Sequence, residues 1–163
     1  IRDRLDAIKK EKENLKTSIP TVLKISPDIN DKEIEKISSL ILKYSIPSII
    51  ISNTSDRTRD ILKNINKLEK GGLSGKPIEQ KSNIIINKFF KNLKNKVKII
   101  GVGGVDSAES AYKKILNGAS LIQLYTGMVY KGPSIANKIS EDLNNLLKKQ
   151  GVTNISEIVG TKK

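Results

Sequence analysis

Hydrophobic residues change period several times along this chain, and the changes mark out its elements. After a charged helical stretch at the start, Thr21-Val22-Leu23-Lys24-Ile25-Ser26 is a short β-rich run stopped by Pro27-Asp28. Ile34, Ile37, Ile41 and Tyr44 then keep helical spacing behind Asn30 and Glu33, which are placed as a capping box. Pro47 introduces Ser48-Ile49-Ile50-Ile51-Ser52, a near-continuous apolar run expected of a strand covered on both faces. The segment from Asn53 to about Gly75 is polar and irregular, with a short helix expected around Ile61 to Leu68. A connection this long in a compact α/β domain reads as a functional loop or lid.

Further along, the spacing predicts a helix from about Ile78 to Leu93, a strand from Val97 to Ile100, and a helix capped by Asp106 and Glu109 and stopped at Gly118. Ser120 to Tyr125 reads as a fourth strand. The next helix, from about Pro133 to Lys148, carries Ile135, Ile139, Leu143 and Leu146 on one stripe, and a last short helix spans Asn154 to Val159. One helix followed by four strand–helix units predicts an α/β fold with a parallel sheet and right-handed crossovers. Four strands are half of a (β/α)8 barrel, and the whole chain reads as a single segment, 1–163.

Useful side chains of such an array lie where strands end on the carboxyl side. The most informative stretch runs from Ile99 to Pro133. Its first strand ends in Gly101-Val102-Gly103-Gly104 and its second in Gln123-Leu124-Tyr125-Thr126. Two consecutive βα units of this kind build the phosphate site of a barrel, because glycine lets backbone N–H groups come close to an anion. Gly71-Gly72-Leu73-Ser74-Gly75 is a second glycine-rich loop. Lys24 sits inside an apolar strand, where an unpaired ammonium is costly. It is either a cation aimed at an anionic or electron-rich ligand or a snorkelling, salt-bridged lysine. Asn53 and Thr54 suit a planar polar ligand or, equally, a turn cap. Asp28, Asp56 and Asp106 form no acid–base pair and read as solvated or capping.

Composition narrows the chemistry. The 163 residues include no Cys and no His, which excludes thiolate nucleophiles, disulfides and the commonest general base and metal ligand from this stretch. No metal-ligand spacing occurs, and no apolar run is long enough to cross a bilayer. The net charge of +13 suggests nucleic acid or an anionic surface. However, the lysines are spread over every helix among acidic residues, and aromatics are too scarce to stack bases. A solvated lysine-rich surface without a nucleic-acid partner is the expectation.

Ser52-Asn53-Thr54, Gly71 to Pro77, Ile99 to Gly104 and Gly118 to Thr126, together with Leu23 to Asp28, occur in an order and spacing that resembles the quinone-dependent (class 2) dihydroorotate dehydrogenases over nearly the whole chain. The resemblance implies an FMN-binding (β/α)8 barrel that oxidises dihydroorotate to orotate in pyrimidine synthesis, with quinone reoxidising the flavin. By position, Lys24, Ser52, Gly75, Gly104, Tyr125 and Thr126 match the family's FMN contacts. Gly103 joins them from the phosphate reading. Asn53 and Thr54 match part of the orotate site.

The resemblance also implies what is expected elsewhere. The catalytic serine base, the first half of the barrel, and the N-terminal helices that meet quinone and the inner membrane all fall outside these residues. The chain is therefore expected to be the C-terminal half of the enzyme and inactive alone. Ser55 stands where many relatives have Thr. Two alternatives remain open on the residues: another phosphate-binding or FMN-dependent barrel enzyme, and a basic non-enzymatic anion-binding domain.

Overall fold

The computed structural model describes residues 1–57, 59–60 and 62–162. The chain opens with helix α1 (Arg2–Asn14), followed by β1 (Val22–Ile25), α2 (Asp31–Lys43) and β2 (Ser48–Ile51). After a long connection come α3 (Glu79–Leu93), β3 (Lys98–Gly101), α4 (Ala108–Leu116), β4 (Leu121–Ile122), α5 (Thr126–Lys131) and α6 (Ile135–Lys149). The strands form one parallel sheet in the order β1-β2-β3-β4, with Lys24, Ile50, Ile100 and Leu121 in one cross-strand row. The expected four strand–helix units are present.

The isoleucine periodicity explains the core. Ile34, Ile37 and Ile41 of α2, on the stripe read from the sequence, pack with Ile86, Phe89 and Leu93 of α3 over Ile25, Ile49, Ile51 and Ile99. Each such side chain, once fully buried, contributes about 1.5–3 kcal/mol. The Asn30–Glu33 capping box forms as expected, with Asn30 Oδ1 3.0 Å from the Glu33 N–H it accepts from. A smaller core joins Val105, Ala111, Ile135 and Ile139, and another joins Ile115, Leu147 and Ile158. The partly buried Phe90 ring has glycine on two sides. A Cβ on Gly118 would lie 2.4 Å from Phe90 Cγ, and one on Gly160 would lie 2.0 Å from Phe90 Cε1.

Several expectations need correction. β2 is not covered on both faces: Ile49 and Ile51 are fully buried, while Ser48 and Ile50 point the other way and are half-buried. Helices α2 and α3 lie together on one face, so the strand keeps an alternating pattern. Helix α4 is not capped by Asp106 and Glu109. Its cap is Ser107, whose Oγ accepts from Ser110 N–H while Ser110 Oγ accepts from Ser107 N–H at 3.0 Å. The serine hydroxyls sit one residue closer to the first turn, and Asp106 is left to pair with Lys76 and Lys131.

β4 is shorter than Ser120 to Tyr125, because the ladder with β3 pairs only Leu121 and Ile122. Thr126–Lys131 form α5, a helix the sequence reading did not expect. In α6 the buried positions are Ile135, Ile139 and Leu147, with Leu143 and Leu146 half-buried. The expected helix from Ile61 to Leu68 is a single 3-10 turn, Ile65–Leu68; Ile61 lies outside the described residues. The closing helix is likewise a 3-10 turn, Ile155–Ile158, capped by Asn154.

Candidate functional site

Parallel strands bring their carboxyl ends to one edge, and a cleft of about 830 Å³ opens there. All nine residues singled out as a site line it: Lys24, Ser52, Asn53, Thr54, Gly75, Gly103, Gly104, Tyr125 and Thr126. They come from the ends of all four strands and from the long connection after β2, so only the parallel topology unites them.

Asn53 is fixed through its backbone, its N–H donating to Ile25 O at 2.7 Å. Among the described residues its exposed carboxamide has no partner, so the turn-cap reading of this side chain does not hold. The glycine-rich loop is pinned beside it. Ser55 and Leu73 exchange backbone hydrogen bonds of 3.0 and 2.8 Å. A Cβ on Gly72 would fall 1.9 Å from Thr54 Oγ1, so this position admits no side chain. Arg59 closes the connection by donating to the Lys67 carbonyl at 2.9 Å and to the Gly71 carbonyl.

The phosphate-type loop is built just as tightly. Gly104 has φ +76°, and a Cβ there would lie 2.5 Å from Glu79 Cβ and 2.9 Å from Glu79 Cα. The loop therefore rests on the first turn of α3. On the other wall, Thr126 Oγ1 donates to Ser74 Oγ at 2.9 Å, joining the start of α5 to the glycine-rich loop. Ser52 Oγ is buried at the cleft floor and has no hydrogen-bond partner among the described residues. Buried hydroxyls are nearly always paired. An orphan hydroxyl beside glycines that admit no Cβ fits a polar, phosphorylated group such as a flavin mononucleotide.

Cations ring the opening. Lys76 Nζ lies 2.7 Å from Glu79 Oε2 and 3.4 Å from Asp106 Oδ1, and the hydrogen bond to Glu79 holds Lys76 above the ordinary lysine value. Lys131 donates to the Asp106 carbonyl at 2.8 Å. Lys24 lies on the sheet face away from α2 and α3, exposed, and among the described residues it has no ion-pair partner. The sequence reading missed Arg59, Lys76 and Lys131. Lysines so frequent in the chain give no local signal, and their convergence is set by loops.

Asp28 clamps the connection to the end of β1. It accepts from Ser55 Oγ and Asp56 N–H, each at 2.8 Å, and from Lys81. It is thus a buried tether rather than a solvated carboxylate. Burial pushes its carboxyl up, but the bonds from Lys81, Ser55 and Asp56 outweigh that and hold it below the usual aspartate value. A depressed native pKa stabilises the fold above the unfolded pKa, near 3.9, and that contribution is lost as pH falls through the native value. Asp28→Asn is expected to cost about 1–3 kcal/mol at neutral pH. Its urea midpoint should meet wild type on acidification below about pH 4. Equal midpoints at neutral pH would return Asp28 to the solvated role.

Comparisons with known proteins agree on one group. The family model described as dihydroorotate dehydrogenase matches residues 2–147. A dihydroorotate dehydrogenase (quinone) of Buchnera aphidicola subsp. Schizaphis graminum is 46% identical over 125 residues, covering 77% of this chain and 37% of that protein. One of Haloarcula marismortui is 39% identical over 159 residues, covering 98% of this chain and 45% of its own length. The crystal structure of ligand-free DHODH from Eimeria tenella superposes with a TM-score of 0.83 at 34% identity, over 86% of this chain and 39% of that one. The chain thus spans less than half the length of the curated relatives it matches.

Proposed function

We propose, from the premise that this chain belongs to the dihydroorotate dehydrogenase family, that its cleft holds FMN and one edge of orotate for the quinone-dependent oxidation of dihydroorotate in pyrimidine synthesis. The observation that carries this reading is the convergence of nine residues, from four strand ends and the glycine-rich loop, on one cleft. The chemistry that FMN supplies when bound is acceptance of a hydride from dihydroorotate, with quinone as the later electron acceptor.

In this reading the N–H groups of Gly103 and Gly104 hold the phosphate, the Thr126 hydroxyl turns to it from Ser74 Oγ, and Gly75 and Tyr125 complete its wall. The glycines let the backbone approach, and fixed donors are already oriented when the anion arrives. Ser52 offers the buried hydroxyl to the same ligand. Asn53 and Thr54 meet the substrate ring, where a carboxamide both donates and accepts. The serine that takes dihydroorotate's proton, the quinone contacts and the attachment to an inner-membrane surface all belong to the protein outside these 163 residues.

Lys24 is a cation lining the cleft, suited to negative charge that develops on a reduced flavin. One unit charge at about 4 Å is worth about 1 kcal/mol even in bulk water, and more in a cleft. For a two-electron couple about 1.4 kcal/mol corresponds to about 30 mV. In the intact protein, Lys24→Ala is expected to lower the flavin midpoint potential by tens of millivolts and to slow reduction more than reoxidation. Lys24→Arg should recover only part of the loss, since the guanidinium is larger and planar.

The deciding experiment purifies the intact protein, quantifies FMN by absorbance and adds dihydroorotate without oxygen. Bound FMN that bleaches supports the proposal. Bound FMN that dihydroorotate leaves oxidised would assign the cleft to another flavin-dependent barrel enzyme. A colourless protein that takes up no FMN would leave a basic anion-binding domain.

A further inference from the structure

Lys114 is the one fully buried lysine side chain among the described residues, 0% exposed in a chain whose other cations lie on or near the surface. It projects from α4 beneath the end of β3. Its Cδ lies 3.1 Å from where a Cβ on Gly101 would sit. Nζ donates to Ser82 Oγ at 3.0 Å and to Asn83 Oδ1 at 2.9 Å, both on α3. Ser82 Oγ in turn donates to the Val102 carbonyl, which also accepts from Ser52 N–H at 3.2 Å. A relay of two hydrogen bonds therefore runs from the amine to the peptide that joins Val102 to Gly103.

That peptide matters because C=O and N–H point in opposite directions across a trans amide. Holding the Val102 carbonyl toward α3 aims the Gly103 N–H away from α3. A cation at the donor end of such a relay polarises every bond along it. We propose that Lys114 is the buried counter-charge of the phosphate cradle: it orients the Val102–Gly103 peptide through Ser82 and takes up a proton when a phosphate dianion occupies the Gly103–Gly104 loop. The inference rests on the reading of this loop as the FMN phosphate site.

The hydrogen-bond count matches the neutral amine, and the third N–H of the cation has no acceptor among the described residues. A neutral amine has two N–H groups, matching the two acceptors Ser82 and Asn83, and a lone pair free for the proton. Burial pulls Lys114 from the ordinary 10.5 to about 7; Glu79 of α3 opposes that shift and Lys76 of the preceding turn adds to it. No charged group of α6 or β4, which also pack on α4, is among those acting on it. An arriving dianion favours the cation, so the proton moves from buffer to Nζ as the ligand binds. The chain has no His and no Cys, the side chains that otherwise titrate near neutrality.

The test is calorimetry on the intact protein stripped of flavin, at about pH 8, where FMN phosphate is already a dianion because its second pKa is near 6. Titrations in HEPES and in Tris, whose ionisation enthalpies differ, count the protons exchanged. Wild type is expected to take up close to one proton per FMN and none with riboflavin, which lacks the phosphate. Lys114→Met, which keeps chain length without the charge, should bind FMN at least about tenfold more weakly with no proton uptake, and riboflavin as before. Ser82→Ala, which cuts the relay but keeps the amine, should weaken FMN binding while uptake persists.

Binding of FMN by wild type without proton uptake would overturn the inference alone, as would unchanged uptake in Lys114→Met. If Lys114→Met does not fold, the wild-type contrast between FMN and riboflavin and the Ser82→Ala uptake decide the matter. A wild-type protein that binds neither flavin would overturn the flavin reading of the cleft, and this inference with it.

Discussion

Gly104→Val is expected to reduce FMN affinity of the intact protein by about a hundredfold or more while leaving its circular dichroism close to wild type. Two independent costs meet at this position. A β-branched residue at φ +76° is strained by about 1–3 kcal/mol. The new Cβ would also lie 2.9 Å from a backbone atom of Glu79, and overpacking of this kind costs about 1–3 kcal/mol. The first turn of α3 cannot retreat, because Ile85, Ile86 and Phe89 anchor that helix in the main core. The loop yields instead and carries the Gly103 and Gly104 N–H groups out of register with a phosphate.

Gly132→Ala supplies the comparison. Its φ is +80° but nothing lies within 4 Å of its Cβ position, so it should lose about 1 kcal/mol of stability and keep its flavin. FMN per protein after gel filtration reads both variants. Full occupancy in Gly104→Val would reduce Gly103-Gly104 to a tight turn.

The second large effect is expected at Asn53. Its backbone is held between the ends of β1 and β2, yet its carboxamide has no partner among the described residues. A group fixed in place but unengaged can be removed with little cost to the fold and much to a ligand. With the carboxamide gone, polar atoms of orotate are left unpaired, at about 1–3 kcal/mol for each lost bond. Loss of both a donor and an acceptor sets the expected loss of orotate affinity at about a hundredfold or more in Asn53→Ala, with FMN content unchanged. Orotate titration followed in the flavin spectrum measures it, alongside stopped-flow reduction by dihydroorotate. Wild-type binding and reduction would make Asn53 a structural residue.

How far the sequence reveals this arrangement depends on what each signal encodes. Isoleucines at helical and strand spacing determine α2, α3 and the sheet, because burial of a face is a local, repeating requirement. Strand ends in a parallel array are legible for the same reason, and they supplied eight of the nine site positions; Gly75 comes from the glycine-rich loop. Short-range choices between neighbouring acceptors are not legible: the sequence reads Asp106 as the cap, and only the backbone path decides for Ser107. Length also misleads at β4, where apolar character continues beyond the two residues that pair.

Lys114 marks a deeper limit. Lys113 and Lys114 are adjacent and chemically identical, but one is exposed and the other is sealed behind the glycine loop. In a chain with 30 lysines and arginines, no pattern in the sequence separates the buried cation from the solvated ones. Its meaning comes from Ser82 and Val102, 32 and 12 positions away in sequence.

The Phe90 ring, enclosed by Gly118 and Gly160, has a consequence for descent rather than for chemistry. Neither glycine can acquire a side chain while the aromatic ring stands at 90, since a methyl group would overlap it. A smaller residue at 90 removes that steric bar, although the positive φ of both glycines would still disfavour side chains there. The two glycines, in the turn after α4 and the C-terminal tail, are therefore tied to the residue that α3 presents at position 90. A side chain at 118 or 160 should occur in divergent relatives only together with a smaller residue at 90.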